Sequence, residues 1–198
     1  MNKMPVSSII ESLRERIPKS IVMNQIVGIT LPDKYYDDIK QVLFEYFNSK
    51  PTYYCVYVTV SRPYTSLVNQ YGELITNSKN IKFIDCVSRI AGISKTDPNC
   101  VYIESPTILE KLGLEIINLF KEADEKAEKF LIMDSLSTLM VYNDPDIVTK
   151  FFYYLVNVTR SRSIHSAYLV IEEEEADKQI KKLINLTDKI EKIVDSFI

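Results

Sequence analysis

The stretch KFLIMDSLSTLMVYND, residues 129–144, decides how the rest of this chain is read. Four apolar residues, Phe130 to Met133, run without interruption into an acid, Asp134, and a hydroxyl, Ser135. A short continuous apolar run suits a strand covered on both faces, which is the environment of a parallel sheet. In an open sheet of that kind, ligands bind beyond the carboxyl ends of the strands. Asp134 therefore stands where chemistry would be done, either holding a cation or bonding the backbone N–H groups of the next turn.

Working outward, similar runs predict strands at 21–30, 54–60, 82–86, 100–103 and 167–171, rich in Val, Ile, Tyr and Phe. Between them lie helical repeats with specific start signals. Tyr36, Ile39, Leu43, Tyr46 and Phe47 follow Pro32-Asp33, while Tyr64, Leu67, Val68, Tyr71, Leu74 and Ile75 follow Pro63. Leu109, Leu112, Ile116, Phe120 and Ala123 follow Ser105-Pro106, and Val148, Phe151, Phe152, Leu155 and Thr159 follow Asp144-Pro145. Proline at the first helical position after a capping side chain is a start signal with a mechanism: its missing N–H is one that no carbonyl would meet. A capping box at Ser8 to Glu11 predicts a short N-terminal helix ending before Pro18. Periodicity through Ile180, Leu183, Ile184, Ile190, Val194 and Phe197 predicts one helix over 177–197. Strands alternating with helices of this length imply crossover connections and an α/β fold with a mostly parallel sheet. No repeat or linker divides the chain. The expectation is a single domain over 1–198, with 1–18 as an N-terminal helical extension.

Composition excludes several classes of chemistry. The chain has 198 residues with 24 Lys plus Arg against 27 Asp plus Glu, a net of −3, so no strong field draws it to nucleic acid. Its N-terminus carries charges where a signal peptide needs an apolar core, and no uncharged run approaches the roughly 20 residues that span a bilayer. Cys55, Cys86 and Cys100 form no C-x-x-C pair and sit among apolar residues, as reduced, buried cytoplasmic thiols do. One His and three Cys leave too few soft ligands for a zinc site or a metal cluster. There are only 4 glycines, where average usage predicts roughly 14.

That last count bears on the turn after the first strand, Gly28-Ile-Thr-Leu-Pro-Asp-Lys-Tyr35. Against the phosphate-loop pattern G-x-x-x-x-G-K-[ST] it keeps Gly28 and Lys34, but puts Asp33 at the second Gly and Tyr35 at the Mg²⁺-binding hydroxyl. Such a loop works by backbone N–H groups converging on phosphate, which Pro32 and Asp33 oppose. Asp33 then reads as a helix cap and Lys34 as a solvated side chain, with a decayed phosphate loop as the other reading. Phe130 to Asp134 has the form of a Walker B strand, whose Asp holds Mg²⁺. After the second strand, Ser61-Arg62-Pro63 offers no general base; Ser61 reads as the cap of the next helix and Arg62 as an anion ligand or a surface residue. His165 reads as a polar residue entering a strand, and no nucleophile-elbow G-x-S-x-G accompanies it. Glu172 to Glu175 reads as a solvated loop, or as a docking patch for a basic partner.

Together, residues 56–67 (VYVTVSRPYTSL), 82–92 (KFIDCVSRIAG), 102–112 (YIESPTILEKL), 129–144 and 151–174 resemble the KaiC/RecA-like ATPase superfamily, especially a largely archaeal group. The DSLSTL core at 134–139 and the following YND carry most of the likeness. The resemblance implies a three-layer α/β/α sandwich around a RecA-like central sheet, with the 167–171 strand between strand one and the 130–133 strand. It also implies an edge strand at 188–193. In that superfamily a phosphate loop follows strand one and a glutamate after strand two activates water; here Ser61-Arg62 stands in place of the acid. Asp134 matches the Walker B position, so Gly28, Lys34, Asp134 and Ser135 mark a vestigial nucleotide site with no catalytic residue, no metal and no cofactor. The functional expectation is a cytoplasmic pseudo-ATPase acting as a regulatory or protein-interaction module, with a protein partner or self-association. The alternatives are a weak ATP binder or ATPase using a non-standard loop, and an unrelated small hydrolase or transferase on a doubly wound sheet.

Overall fold

Strands made almost wholly of apolar residues need cover on both faces, and in the computed structural model they have it. The structure describes residues 6–171 and 178–194. The Glu172–Glu175 run lies outside them. Seven strands form one sheet: β1 (Ile26–Leu31), β2 (Tyr53–Thr59), β3 (Ile81–Asp85), β4 (Cys100–Tyr102), β5 (Glu128–Asp134), β6 (His165–Ile171) and β7 (Lys189–Lys192). Their order is β4-β3-β2-β5-β6-β1-β7, and every neighbouring pair is parallel. The strand at 165–171 does lie between β1 and β5, and 189–192 is an edge strand.

Alternation along each strand sends its side chains into two separate cores. On one face α1 (Val6–Met23), α2 (Tyr36–Asn48), α3 (Tyr64–Tyr71) and α4 (Glu73–Thr76) cover Val27, Ile29, Cys55, Tyr57, Phe83, Phe130 and Ile132. On the other, α5 (Leu109–Glu122), α6 (Leu136–Tyr142), α7 (Pro145–Ser161) and α8 (Lys178–Ile184) cover Val56, Val58, Ile84, Leu131, Met133 and Tyr168. The result is the three-layer α/β/α sandwich. No helix among the described residues is long and apolar enough to cross a membrane.

Several boundaries differ from the sequence reading, each for a local reason. Residues 21–23 are not strand: α1 runs through Pro18 to Met23, because Leu13, Ile17 and Ile21 repeat every fourth residue and are all buried. Since α1 is already under way at Val6, Ser8 lies inside the helix rather than at its cap. The helix after Pro63 breaks at Gly72, whose φ of +50° suits glycine, and α4 resumes beyond it. The third long helix opens at Leu109, three residues after Pro106. The predicted helix over 177–197 stops at Ile184. There Thr187 Oγ1 donates to the Ile184 carbonyl, and Asp188 takes both main-chain groups of Ile26, its N–H donating to Ile26 O and its carboxylate accepting from Ile26 N. Asp188 thus feeds the chain into β7 beside β1.

Gly28 lies in the middle of β1, flanked by Tyr168 on β6 and Ile190 on β7. A Cβ there would stand 3.1 Å from Ile184 Cγ2 and 3.4 Å from Thr187 Oγ1. Gly28→Ala should therefore cost about 1–3 kcal/mol through overpacking, measured by urea unfolding; a variant as stable as the parent would contradict this packing.

Candidate functional site

The carboxyl edge of the sheet is where the parallel strands release their chain into turns, and its polar side chains gather on the α2–α3 face. Asp134 ends β5 opposite Thr59 of β2 and is fully buried. Its Oδ2 accepts from Tyr57 Oη at 2.5 Å and its Oδ1 from Ser61 Oγ at 3.3 Å. The carboxylate does not bond the N–H groups of the turn that follows it. Burial alone pushes its pKa well above the usual carboxylate range, and burial raises the Tyr57 phenol likewise. Ser135 turns the other way: its Oγ accepts from Thr138 N at 3.1 Å, capping α6, and shares hydrogens with Ser137 and Thr138 hydroxyls.

Ser61 links Asp134 to a second group of residues. Its hydroxyl lies 3.1 Å from Tyr36 Oη, so it does not cap α3. The Tyr36 ring in turn lies 4.1 Å beneath the ammonium of Lys40, a residue with no exposed surface. Lys40 Nζ is 2.8 Å from Asp37 Oδ1, and Arg62 reaches the same oxygen at 3.0 Å while also donating to Gln70. Burial raises the Asp37 carboxyl, but the Lys40 ammonium, the Gln70 amide and the Arg62 guanidinium outweigh it and hold the pKa at about 2. Desolvation lowers Lys40. Arg62 is thereby engaged with side chains of its own chain.

The turn between β1 and α2 closes over this network. Pro32 is extended at φ −62° and ψ 144°, Asp33–Tyr35 form one 3-10 turn, and no side chain caps either this turn or α2. Asp33 is consequently not the cap that its position suggested. Tyr35 and Tyr36 are both buried, whereas Lys34 is exposed, its ammonium 5.0 Å over the Tyr35 ring. Of the four residues marked from sequence, Asp134 and Ser135 stand at the carboxyl edge, Lys34 on the surface of the turn, and Gly28 inside β1.

Asp85, at the end of β3, is an acid that the sequence reading leaves out: Lys82 interrupts the apolar run before it, yet it ends its strand as Asp134 does. It is fully buried and accepts four hydrogen bonds, from the N–H groups of Tyr64, Val87 and Ser88 and from Ser88 Oγ. By holding Tyr64 N it does for α3 what a capping side chain would do. Tyr57 and Tyr36 were equally hidden, because a tyrosine in an apolar run reads as core. His165 opens β6 beside Phe130, at the opposite edge of the sheet from Asp134, with Nδ1 3.1 Å from the Ile21 carbonyl. The three cysteines are free and buried, and burial raises their thiols above the ordinary range.

No curated protein matches the chain. Among solved structures, an uncharacterised protein of Pyrococcus horikoshii, crystallised in complex with an unknown peptide, superposes with a TM-score of 0.61 at 15% identity, over 85% of this chain and 77% of its own. Flagellar accessory protein FlaH of Methanocaldococcus jannaschii gives 0.59 at 17% identity, over 90% and 76%. A KaiC-like protein of Pyrococcus horikoshii gives 0.57 at 11% identity, over 81% and 67%. At these identities the likeness is one of fold, and that fold is RecA/KaiC-like. A family model covers residues 35–190, most of the sheet and its covering helices, and the chain belongs to that family, DUF7504, a family of unknown function.

Proposed function

We propose that this chain is a single RecA/KaiC-like domain over residues 1–198 that does not hydrolyse ATP and serves in the cytoplasm as a regulatory or protein-interaction module. The observation that carries the reading is the corner between β1, β2 and β5, which side chains of the protein itself occupy. A phosphate loop needs N–H groups converging on an anion. Here Pro32 supplies none, Asp33 adds negative charge, and the rings of Tyr35 and Tyr36 pack inward. Mg²⁺ needs a carboxylate oxygen with access to water and phosphate. Both Asp134 oxygens already accept hydrogen bonds, and the residue has no exposed surface. These residues do not fit a Mg²⁺–nucleotide. Where the superfamily's water-activating acid would stand, Ser61 bonds Asp134 and Tyr36, and Arg62 bonds Asp37.

The peptide bound to the P. horikoshii protein supports a protein-binding role for this fold. A weak nucleotide binder would have to use Lys34 from an exposed turn together with a buried Asp134. An unrelated hydrolase would need a nucleophile beside a base, and His165 stands at the far edge of the sheet. Neither arrangement is as well supported as the filled corner.

Titration calorimetry with Mg²⁺ and ATP up to about 1 mM should record no binding heat. Micromolar binding that disappears in Asp134→Asn would overturn the proposal.

The buried carboxyl makes a second, independent expectation. Because burial raises the folded pKa of Asp134 above the unfolded value, its contribution to stability is full below the unfolded pKa and is lost as pH rises toward the folded one. An asparagine there can still accept from Tyr57 and has no charge to bury. Asp134→Asn should melt close to the parent at about pH 4 and above it at about pH 8, by at least the 2–4 °C that roughly 1 kcal/mol makes in a chain of this length. A variant less stable than the parent at the higher pH would show that the carboxylate is ionised and held by partners.

A further inference from the structure

Seven of the ten exposed large apolar side chains among the described residues belong to α5, α6, α7 or the residue that caps α5. Scattered singly they would need no explanation, but gathered on one face they mark a contact surface. Asn143, just after α6, donates to the Pro106 and Leu139 carbonyls and so ties the end of α6 to the turn that leads into α5. Between α5 and α7 runs a groove of about 400 Å³, walled by Leu109 and Glu110 on one side and by Ile147, Lys150, Phe151 and Tyr154 on the other. Gly113 lets the α7 side chains approach α5 closely: a Cβ there would stand 3.1 Å from the Tyr154 ring. Ile147 is 54% exposed and Leu114, one turn beyond Glu110, is 53% exposed.

The charges on the two walls indicate the occupant. Glu110 and Lys150 face the groove from opposite sides, and neither makes a side-chain ion pair or hydrogen bond among the described residues. An apolar strip bordered by one unpaired acid and one unpaired base is complementary to itself under two-fold rotation, which is the requirement of an isologous interface. We propose that a second copy of this chain docks here, setting Glu110 against Lys150 of the partner subunit and Lys150 against Glu110 of the partner subunit, with Ile147, Tyr154 and Leu114 buried between them. The proposal rests on the interaction-module reading above and names its surface. Its test reads assembly rather than nucleotide, so the two can fail separately.

Sedimentation equilibrium of the full chain over about 1–100 µM should show a monomer–dimer equilibrium with a micromolar constant. Ile147→Asp puts a charge on an already exposed position, so it should keep the parent's circular dichroism and weaken the dimer by at least about 100-fold. Glu110→Lys and Lys150→Glu should each weaken it by roughly 3–10-fold, and the double reversal should return it to about the parent value, since a two-fold interface restores both pairs at once. A chain that stays monomeric at the highest concentration, a dimer indifferent to Ile147→Asp, or a double reversal no tighter than the single changes would each overturn the proposal.

Discussion

Asp134 is a carboxyl group without access to water, and the carboxyl edge of the sheet is organised around meeting its needs. A parallel sheet buried on both faces can admit polar side chains only near the ends of its strands, where the chain turns away and donors become available. At the end of β5 those donors are Tyr57, two residues back from the end of β2, and Ser61, two residues past it. Ser61 is held from the other side by Tyr36, and Tyr36 lies under Lys40, which with Arg62 shares the Asp37 carboxylate. A single buried acid is thus connected, group by group, to the entry of α2. Breaking either contact of Asp134, or the Lys40–Asp37 contact, leaves a buried polar group without that partner, which costs more than the bond itself contributes.

The second acid of this edge, Asp85, follows the same logic with different donors. Its four hydrogen bonds fasten the start of α3 and the turn after β3. Both acids are therefore engaged in holding turns and helix entries at the place where an open sheet of this type ordinarily receives a ligand. The RecA/KaiC-like strand order is intact, while the edge it presents is filled by the protein's own tyrosines, serines and ion pairs. On the reading proposed here, what the fold offers to other molecules has moved to the outside, to the helices of the opposite layer.

Much of the fold was legible in the sequence because its signals are local. Apolar runs such as Phe130–Met133 gave five of the strands to within a residue or two, and Asp144-Pro145 gave the start of α7, where the Asp144 carboxylate accepts from Asp146 N. The errors fall where a local pattern supports two outcomes. Ile21 and Val22 read as strand until Leu13 and Ile17 extend the same spacing backwards past Pro18. Ile190 continues the helical period of Leu183 and Ile184, but Thr187 closes the helix on the Ile184 carbonyl and Asp188, by binding both main-chain groups of Ile26, diverts the chain into a strand. Asp134 was visible as a strand-ending acid, but its partners were not. Tyr57 lies 77 residues away and Ser61 73 residues away in sequence, and a phenol in an apolar run carries no mark of the hydrogen bond it will make. Side-chain networks closed by tertiary contact are the part of a site that spacing cannot reveal.

The most direct test of the filled corner is a crystal structure of the full chain grown with a magnesium complex of a non-hydrolysable ATP analogue at about 5 mM, far above any micromolar constant. The account expects residues 32–36 unchanged, with both tyrosine rings inward, the Tyr36 hydroxyl on Ser61 and the Tyr57 hydroxyl on Asp134. A turn swung outward, with phosphate oxygens against its N–H groups and Mg²⁺ coordinated through Asp134, would contradict it.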